Sequence, residues 1–209
     1  MKLFYSTSSP YARKARVIAR EKGLLDRVTE TECHAAAPPP DLVAANPLLK
    51  IPTLVLDGMS LFDSPVICEY LDNLNEEPVL LPRGGDARWQ VLRAEALADG
   101  LLDVAVALML EDRRPAGERS ATVGAKLEKE IRSVLAAMPD QLEALPQTVS
   151  LGHITIAIAL EYLDFRLSRL AWRDGNAGLA VWLEGFAARA ALQQTTFSDA
   201  SARLIQAAR

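Results

Sequence analysis

One change of texture constrains this chain more than any single motif. The strand signals all fall in the first eighty residues, and after "LLPRGGDAR" none returns. "KLFYS" is a short apolar run suited to a buried strand. "YARKARVIAREKG" is a helix pattern closed by Gly23, a residue type favoured just past a helix end. "RVTETEC" alternates β-branched and polar residues, as a second strand would. The "PPP" at Pro38–Pro40 marks an irregular connection. In "KIPTLVLDGMSLFDSP" two apolar runs flank Asp57-Gly58, the dipeptide of a tight hairpin, and "SPVICEYLDNLN" follows as a helix with Pro65 at its first position. The order is strand, helix, strand, then strand, strand, helix, which can build one small mixed sheet with helices packed on it.

From Trp89 onward the apolar residues recur at helical spacing. "WQVLRAEALADGLLDVAVALMLEDR", "GAKLEKEIRSVLAAMPDQLEAL", "SLGHITIAIALEYLDFRLSRL" and "AGLAVWLEGFAARAAL" give at least four helices. The linker is expected near Leu81–Asp86, where Pro82, Gly84 and Gly85 cluster. Residues 1–80 then form an α/β domain and residues 86–209 an all-helical one. Trp89, Trp172 and Trp182 are expected to pack in the helical core. Arg13, Lys14, Arg16 and Arg20 are expected to form a solvated helix face.

Half of the 209 residues are hydrophobic, enough for a full core without metal or disulfide staples. A net charge of −4 with 24% charged residues argues against a general binder of nucleic acid or other polyanions. Cys33 and Cys68 are the only cysteines and have no metal-ligand spacing, which favours a reducing compartment over a disulfide framework. The opening apolar run is too short for a signal peptide. The most apolar later run is interrupted by His153, Glu161 and Asp164, which suits a buried helix better than a membrane span. A soluble cytoplasmic protein is the expectation, with no membrane and no nucleic-acid partner.

Four stretches, taken in order, resemble the soluble glutathione transferases over essentially the whole chain. "SSPYARK" is similar to the family's Ser/Cys-Pro-aromatic start of its first helix. "NPLLKIPTLVLDG" is close to its NP-x-x-K-[IV]-P-x-L segment, and "LFDSPVICEYL" to its [ED]-S-x-x-I-x-x-YL. "SLGHITIAIALEYLDFR" is similar to the core helix of its second domain. The resemblance implies a thioredoxin-like α/β first domain (βαβ-ββα) followed by an all-α domain. It also implies glutathione as co-substrate with no metal, a small electrophile, a homodimer and a role in detoxification. One departure is visible. The family usually has Ser/Thr-x-x-Asp at the core helix, where serine caps and aspartate returns the bond. Here Ser150 is followed at the third position by His153, and the acidic match to the helix dipole is lost.

Glutathione's thiol is mostly protonated at neutral pH, whereas the thiolate is the nucleophile. An enzyme must therefore favour the charged sulfur and hold it beside an electrophile. A hydroxyl donor at a helix start favours the anion without needing a base. The resemblance puts Ser9, just before Pro10, at the catalytic position of a bacterial serine-type member. Ser8 and Ser6 are competing hydroxyls, and Tyr5 reads as a packing residue. From the residues alone, Ser9 is equally an N-cap with Pro10 as first helical residue. No cysteine stands nearby, so thiol activation is favoured over thiol exchange.

The resemblance also implies a cis Ile51–Pro52 bond, with Ile51 pairing to the cysteinyl backbone of glutathione; without it, Pro52 is an ordinary opening of an edge strand. At Asp63-Ser64-Pro65, the free amides of a helix start suit the γ-glutamyl carboxylate together with Ser64, and Asp63 suits its ammonium. Both residues are also preferred caps. Lys50 would pair with a glutathione carboxylate or stay a solvated flank, and His34 is a weaker candidate. The resemblance implies an electrophile site near Tyr11 and the "EALADGLLDVAVALM" helix, where Asp99 and Asp103, four apart on one face, either line the site, cap local backbone or face solvent. Isomerisation and reductive ether cleavage belong to the same chemistry. A non-catalytic binding or regulatory module on this fold is the alternative.

Overall fold

Leu3 and Phe4 are adjacent in β1 (Lys2–Tyr5) and both are almost wholly buried. Neighbouring strand residues point to opposite faces, so the sheet built on β1 is covered on both sides. β1 pairs in parallel with β2 (Thr29–Glu32), matching Lys2 to Thr29, and antiparallel with β3 (Thr53–Val55), matching Phe4 to Thr53. β3 pairs antiparallel with β4 (Ser60–Leu61), which gives the strand order β2-β1-β3-β4. The turn between the last two carries Gly58 at φ 82°, a backbone region open to glycine at little cost.

The chain in this computed structural model is described for residues 1–34 and 37–200. The described residues divide into two compact units. One holds Met1–Leu80 together with the described chain from Arg189 on, and the other holds Leu81–Ala188. The first is the expected mixed sheet of a thioredoxin-like domain. On one face lie α1 (Pro10–Glu21) and α3 (Ser64–Asp72), which pack on each other. The buried Lys22 ammonium ties their far ends together, donating to Asp72 (3.1 Å) and to the carbonyls of Asn75 (3.2 Å) and Pro78 (2.5 Å). On the other face Phe4, Cys33 and Leu42 form a cluster with Ile51 and Val55. Leu42 comes from α2 (Pro40–Ala45), a helix that the proline run conceals because Pro40 is its first residue.

The second unit contains α4 (Gly85–Asp112), α5 (Ala121–Ala144), α6 (Leu151–Arg166) and α7 (Ala177–Ala187), the four helices expected. α6 is buried almost all round and packs closely on α4. A Cβ added at Gly152 would come within 2.9 Å of the Leu145 side chain and 3.1 Å of Ala94. Among the described residues, no helix is long and apolar enough to cross a membrane. The chain then returns to the first unit through the short α8 (Ala190–Gln193), which lies against α1. A linker near 81–86 gives no hint of that return. The part of the expected helical domain that covers 201–209 lies outside the described residues.

Two expectations are corrected. Arg13, Lys14 and Arg16 are buried rather than solvated. α1 has no outer face at these positions because the sheet, α3 and α8 surround it. Arg16 and Arg20 both reach Glu30 on β2, and Arg16 also lies over the Tyr5 ring at 4.1 Å. Burial pushes the Glu30 carboxyl up, but the Arg20 and Arg16 bonds outweigh it and hold it below its usual range. Trp89 is the second correction: at 67% exposure it is a surface residue of α4, whereas Trp172 is buried.

Candidate functional site

Strand register brings three of the expected site segments to one end of the sheet. Phe4 faces Thr53 and Leu54 faces Leu61. Counting outward, the chain after Tyr5 runs beside Ile51-Pro52, and Pro52 runs beside Asp63. The loop into α1, the turn into β3 and the start of α3 therefore meet where β1 ends.

Ser9 is the N-cap of α1. Its Oγ accepts the Ala12 amide at 3.2 Å, and Pro10 follows as the expected first residue. That bond uses one lone pair of the oxygen and leaves the hydroxyl hydrogen available to an acceptor. Ser6 is buried and its carbonyl accepts the Ser9 amide at 3.3 Å. Ser8 is half-buried. Tyr5 packs under Arg16, as a strand residue should.

The Ile51–Pro52 peptide bond is cis, the isomer the resemblance implies, and Phe62–Asp63 and Glu77–Pro78 are cis as well. Pro52 is buried and Ile51 half-buried. The turn before them is held by Asn46, whose Nδ2 donates to the Lys50 carbonyl (3.2 Å) and to Thr53 Oγ1 (2.9 Å). Thr53 Oγ1 in turn donates to the Lys50 carbonyl at 2.8 Å. The Leu48 amide closes an Asx turn on Asn46 Oδ1 at 2.9 Å. Asn46-Pro47 is a turn signal in the sequence, but nothing in that dipeptide shows the bracing of Lys50 and Thr53. Lys50 is exposed, with its side chain outside this network.

At α3 the cap is Asp63 and Ser64 is the first helical residue, one position earlier than expected. The Asp63 carboxylate accepts the Ser64 amide, and Asp63 is otherwise exposed. Ser64 is 1% exposed, and its Oγ is buried with no hydrogen-bond partner among the described residues. A buried hydroxyl left unpaired is uncommon and calls for an explanation. The Val66 amide beside it has no carbonyl four residues back within the helix. This corner thus holds two donors without an acceptor among the described residues.

Tyr11 is half-buried on α1 in the first unit. Asp99 is half-buried and Asp103 exposed, both on α4 in the second unit. His34 follows β2 and bridges to Ala37. Neither cysteine is placed to act as a nucleophile. Both are buried thiols outside any disulfide, and burial, with Glu32 adding to it, pushes the Cys33 thiol up to about 11. No group of three or more His, Cys, Asp or Glu side chains among the described residues could hold a metal ion.

Comparison with known proteins gives the family. The family model described as glutathione S-transferase, N-terminal domain, matches residues 8–74. An uncharacterised GST-like protein of Escherichia coli K12, YibF, is 32% identical, with 93% of this chain and 98% of that protein aligned. A glutathione S-transferase of Methylobacillus flagellatus, solved with glutathione bound, superposes with a TM-score of 0.88 at 38% identity over 94% of this chain and 99% of its own. A glutathione transferase family member from Pseudomonas fluorescens Pf-5, also with bound glutathione, gives 0.88 at 35% identity over 94% and 98%. The chain belongs to the glutathione S-transferase family.

Proposed function

We propose that the protein is a glutathione transferase that ionises the glutathione thiol against the Ser9 hydroxyl and directs it at a small electrophile. One observation carries the reading: a buried, unpartnered hydroxyl, Ser64, at a helix start that shares the sheet end with the capped Ser9. In this reading the γ-glutamyl carboxylate accepts from the Ser64 hydroxyl and the Val66 amide, while Asp63 takes the ammonium. The cysteinyl backbone pairs with Ile51 ahead of Pro52, and Lys50 reaches a carboxylate. The tripeptide so held lays its sulfur toward the start of α1. There the Ser9 hydroxyl donates to the thiolate while its oxygen keeps the Ala12 amide. The thiolate's electron pair forms the new carbon–sulfur bond as the electrophile's π bond opens or its leaving group departs with the bonding pair, and the thiol proton has already gone to solvent. The bound glutathione of the two similar transferases supports glutathione as the co-substrate here.

Tyr11, Asp99 and Asp103 are the candidates for the electrophile's side, with isomerisation and reductive ether cleavage as variants of one thiolate chemistry. The reading carries with it a cytoplasmic homodimer and a role in detoxification. A glutathione titration of wild type and Ser9→Ala near neutral pH, followed by the ultraviolet absorption of bound thiolate, tests it. A saturable signal in wild type and its loss in Ser9→Ala are the expected results. Binding without a thiolate signal in wild type overturns the mechanism. No binding at all leaves the non-catalytic module.

A further inference from the structure

The returning segment runs antiparallel along α1. Near the end of the helix Arg189 makes a two-point ion pair with Glu21, at 2.9 and 2.7 Å. Near its start Arg13 donates from Nε to Thr195 Oγ1 (3.4 Å) and from Nη2 to the Leu192 carbonyl (3.2 Å). Its guanidinium also lies 4.3 Å from the centre of the Phe197 ring. In the loop before the helix, Thr7 Oγ1 donates to the Ser198 carbonyl at 3.0 Å and the Ser198 amide donates to the Thr7 carbonyl at 3.1 Å. As contacts pass from Glu21 to Arg13 to Thr7 on one side, they pass from Arg189 to Thr195 to Ser198 on the other.

Ser9 sits between the last two of these anchors. Thr7 is two residues before it, and Arg13 is one helical turn after it, with its own amide on the Ser9 carbonyl at 3.0 Å. Arg13 is 2% exposed, and a cation buried that deeply is held by its contacts rather than sampling solvent. A donor that must meet a sulfur has little tolerance for drift, because hydrogen bonds weaken steeply with geometry and small misplacements of reacting groups cost large factors in rate.

Resting on the reading of Ser9 as the thiol's donor, we propose that residues 192–198 are a clamp that fixes the Ser9 hydroxyl at the thiolate, with Thr7, Phe197 and Ser198 as positioning residues. The contacts just described go to α1 and its entry loop rather than to the start of α3. The clamp therefore acts on ionisation of the thiol and leaves the anchoring of the γ-glutamyl end alone.

The test uses the full chain with Phe197→Ala, Phe197→Tyr, Thr7→Val and Ser9→Ala. For each, the pH of half-ionisation of bound glutathione is read from thiolate absorption, and the Kd for glutathione is measured separately by calorimetry below that pH. Phe197→Ala and Thr7→Val should raise the half-ionisation pH by about 0.5–1 while leaving that Kd within about twofold, and Phe197→Tyr should restore the wild-type value. A merely structural role would lower the melting temperature without moving ionisation in the folded protein. Thr7→Val, which keeps the side-chain shape, preserves the test should Phe197→Ala fail to fold. Unchanged ionisation in Thr7→Val and in folded Phe197→Ala, alongside a signal lost in Ser9→Ala, overturns the clamp and spares the Ser9 reading. A signal that survives Ser9→Ala overturns that reading and the clamp with it.

Discussion

Two helix starts meet at one end of the sheet, and they are finished differently. At α1 the Ser9 oxygen takes the Ala12 amide, so the cap is complete within the protein. At α3 the Asp63 carboxylate takes the amide of its immediate neighbour, and the Ser64 hydroxyl is left buried with no partner among the described residues. The first start is a stable structural unit with a spare proton. The second is an unfinished one, with a donor that finds no acceptor among the described residues. On the proposed reading that asymmetry separates the tasks of the site, with ionisation at one corner and anchoring at the other.

Ser64→Ala presses hardest on this contrast. It removes a donor to a charged ligand group, a loss of about 1.5–3 kcal/mol, so the Kd for glutathione should rise by roughly 10- to 100-fold. The unliganded protein should be no less stable, and even slightly more so, since a buried unpaired hydroxyl goes with it. Calorimetry and a thermal melt on the same variant give both readouts. A melting temperature several degrees lower would mean that the hydroxyl serves the fold and the contrast is false. Ser9→Ala should behave in the opposite way. Loss of an N-cap costs about 1 kcal/mol, which in a chain of this size lowers Tm by about 2–4 °C. Glutathione affinity, set at the other corner, should change little by comparison. Equal stability of Ser9→Ala and wild type would show that the cap bond contributes nothing and that the two starts are alike.

The contrast was half legible in the sequence. Ser9-Pro10 and Asp63-Ser64-Pro65 both read as capped starts, and cap chemistry is local enough for nine residues to carry it. Which of Asp63 and Ser64 caps was not legible, because both are good caps and the choice depends on how the chain leaves β4. The turn dipeptide Asp57-Gly58 and the mixed sheet were plain from local pattern. The fate of α1 was not. Arg13, Lys14, Arg16 and Arg20 read as a solvated face, yet Arg16 and Arg20 turn to Glu30 on β2, and Arg13 is met by Leu192, Thr195 and Phe197 of the returning chain. Trp89 failed for the complementary reason: helical spacing says which residues share a face, not which face another element covers. Asn46 was missed because a turn-forming asparagine and a site-bracing one look the same until Thr53 and the Lys50 carbonyl are brought beside it.

A third helix start sharpens the comparison by the smallest effect. At α6 the Ser150 Oγ makes no backbone cap and instead bonds His153 Nδ1 at 2.9 Å. The ring stacks near Phe186 and Trp182, at 5.9 and 6.4 Å between centroids. Burial pushes the His153 pKa below its ordinary value of 6.5. A proton on the ring would also place a cation at the positive end of α6. Between pH 6.5 and the lower folded value, the unfolded chain binds a proton that the folded chain refuses, so stability rises with pH across that window and falls on acidification through it. His153→Gln keeps a hydrogen-bonding side chain and removes the titration. The difference in unfolding free energy between wild type and His153→Gln, measured by urea denaturation at several pH values from 7.5 to 5, isolates His153 from His34. Wild type should lose its advantage over the variant as the pH drops below about 6.5. Parallel loss in both proteins would mean that the neutral ring is no part of how this helix begins, and that α6, unlike α1 and α3, starts without side-chain help.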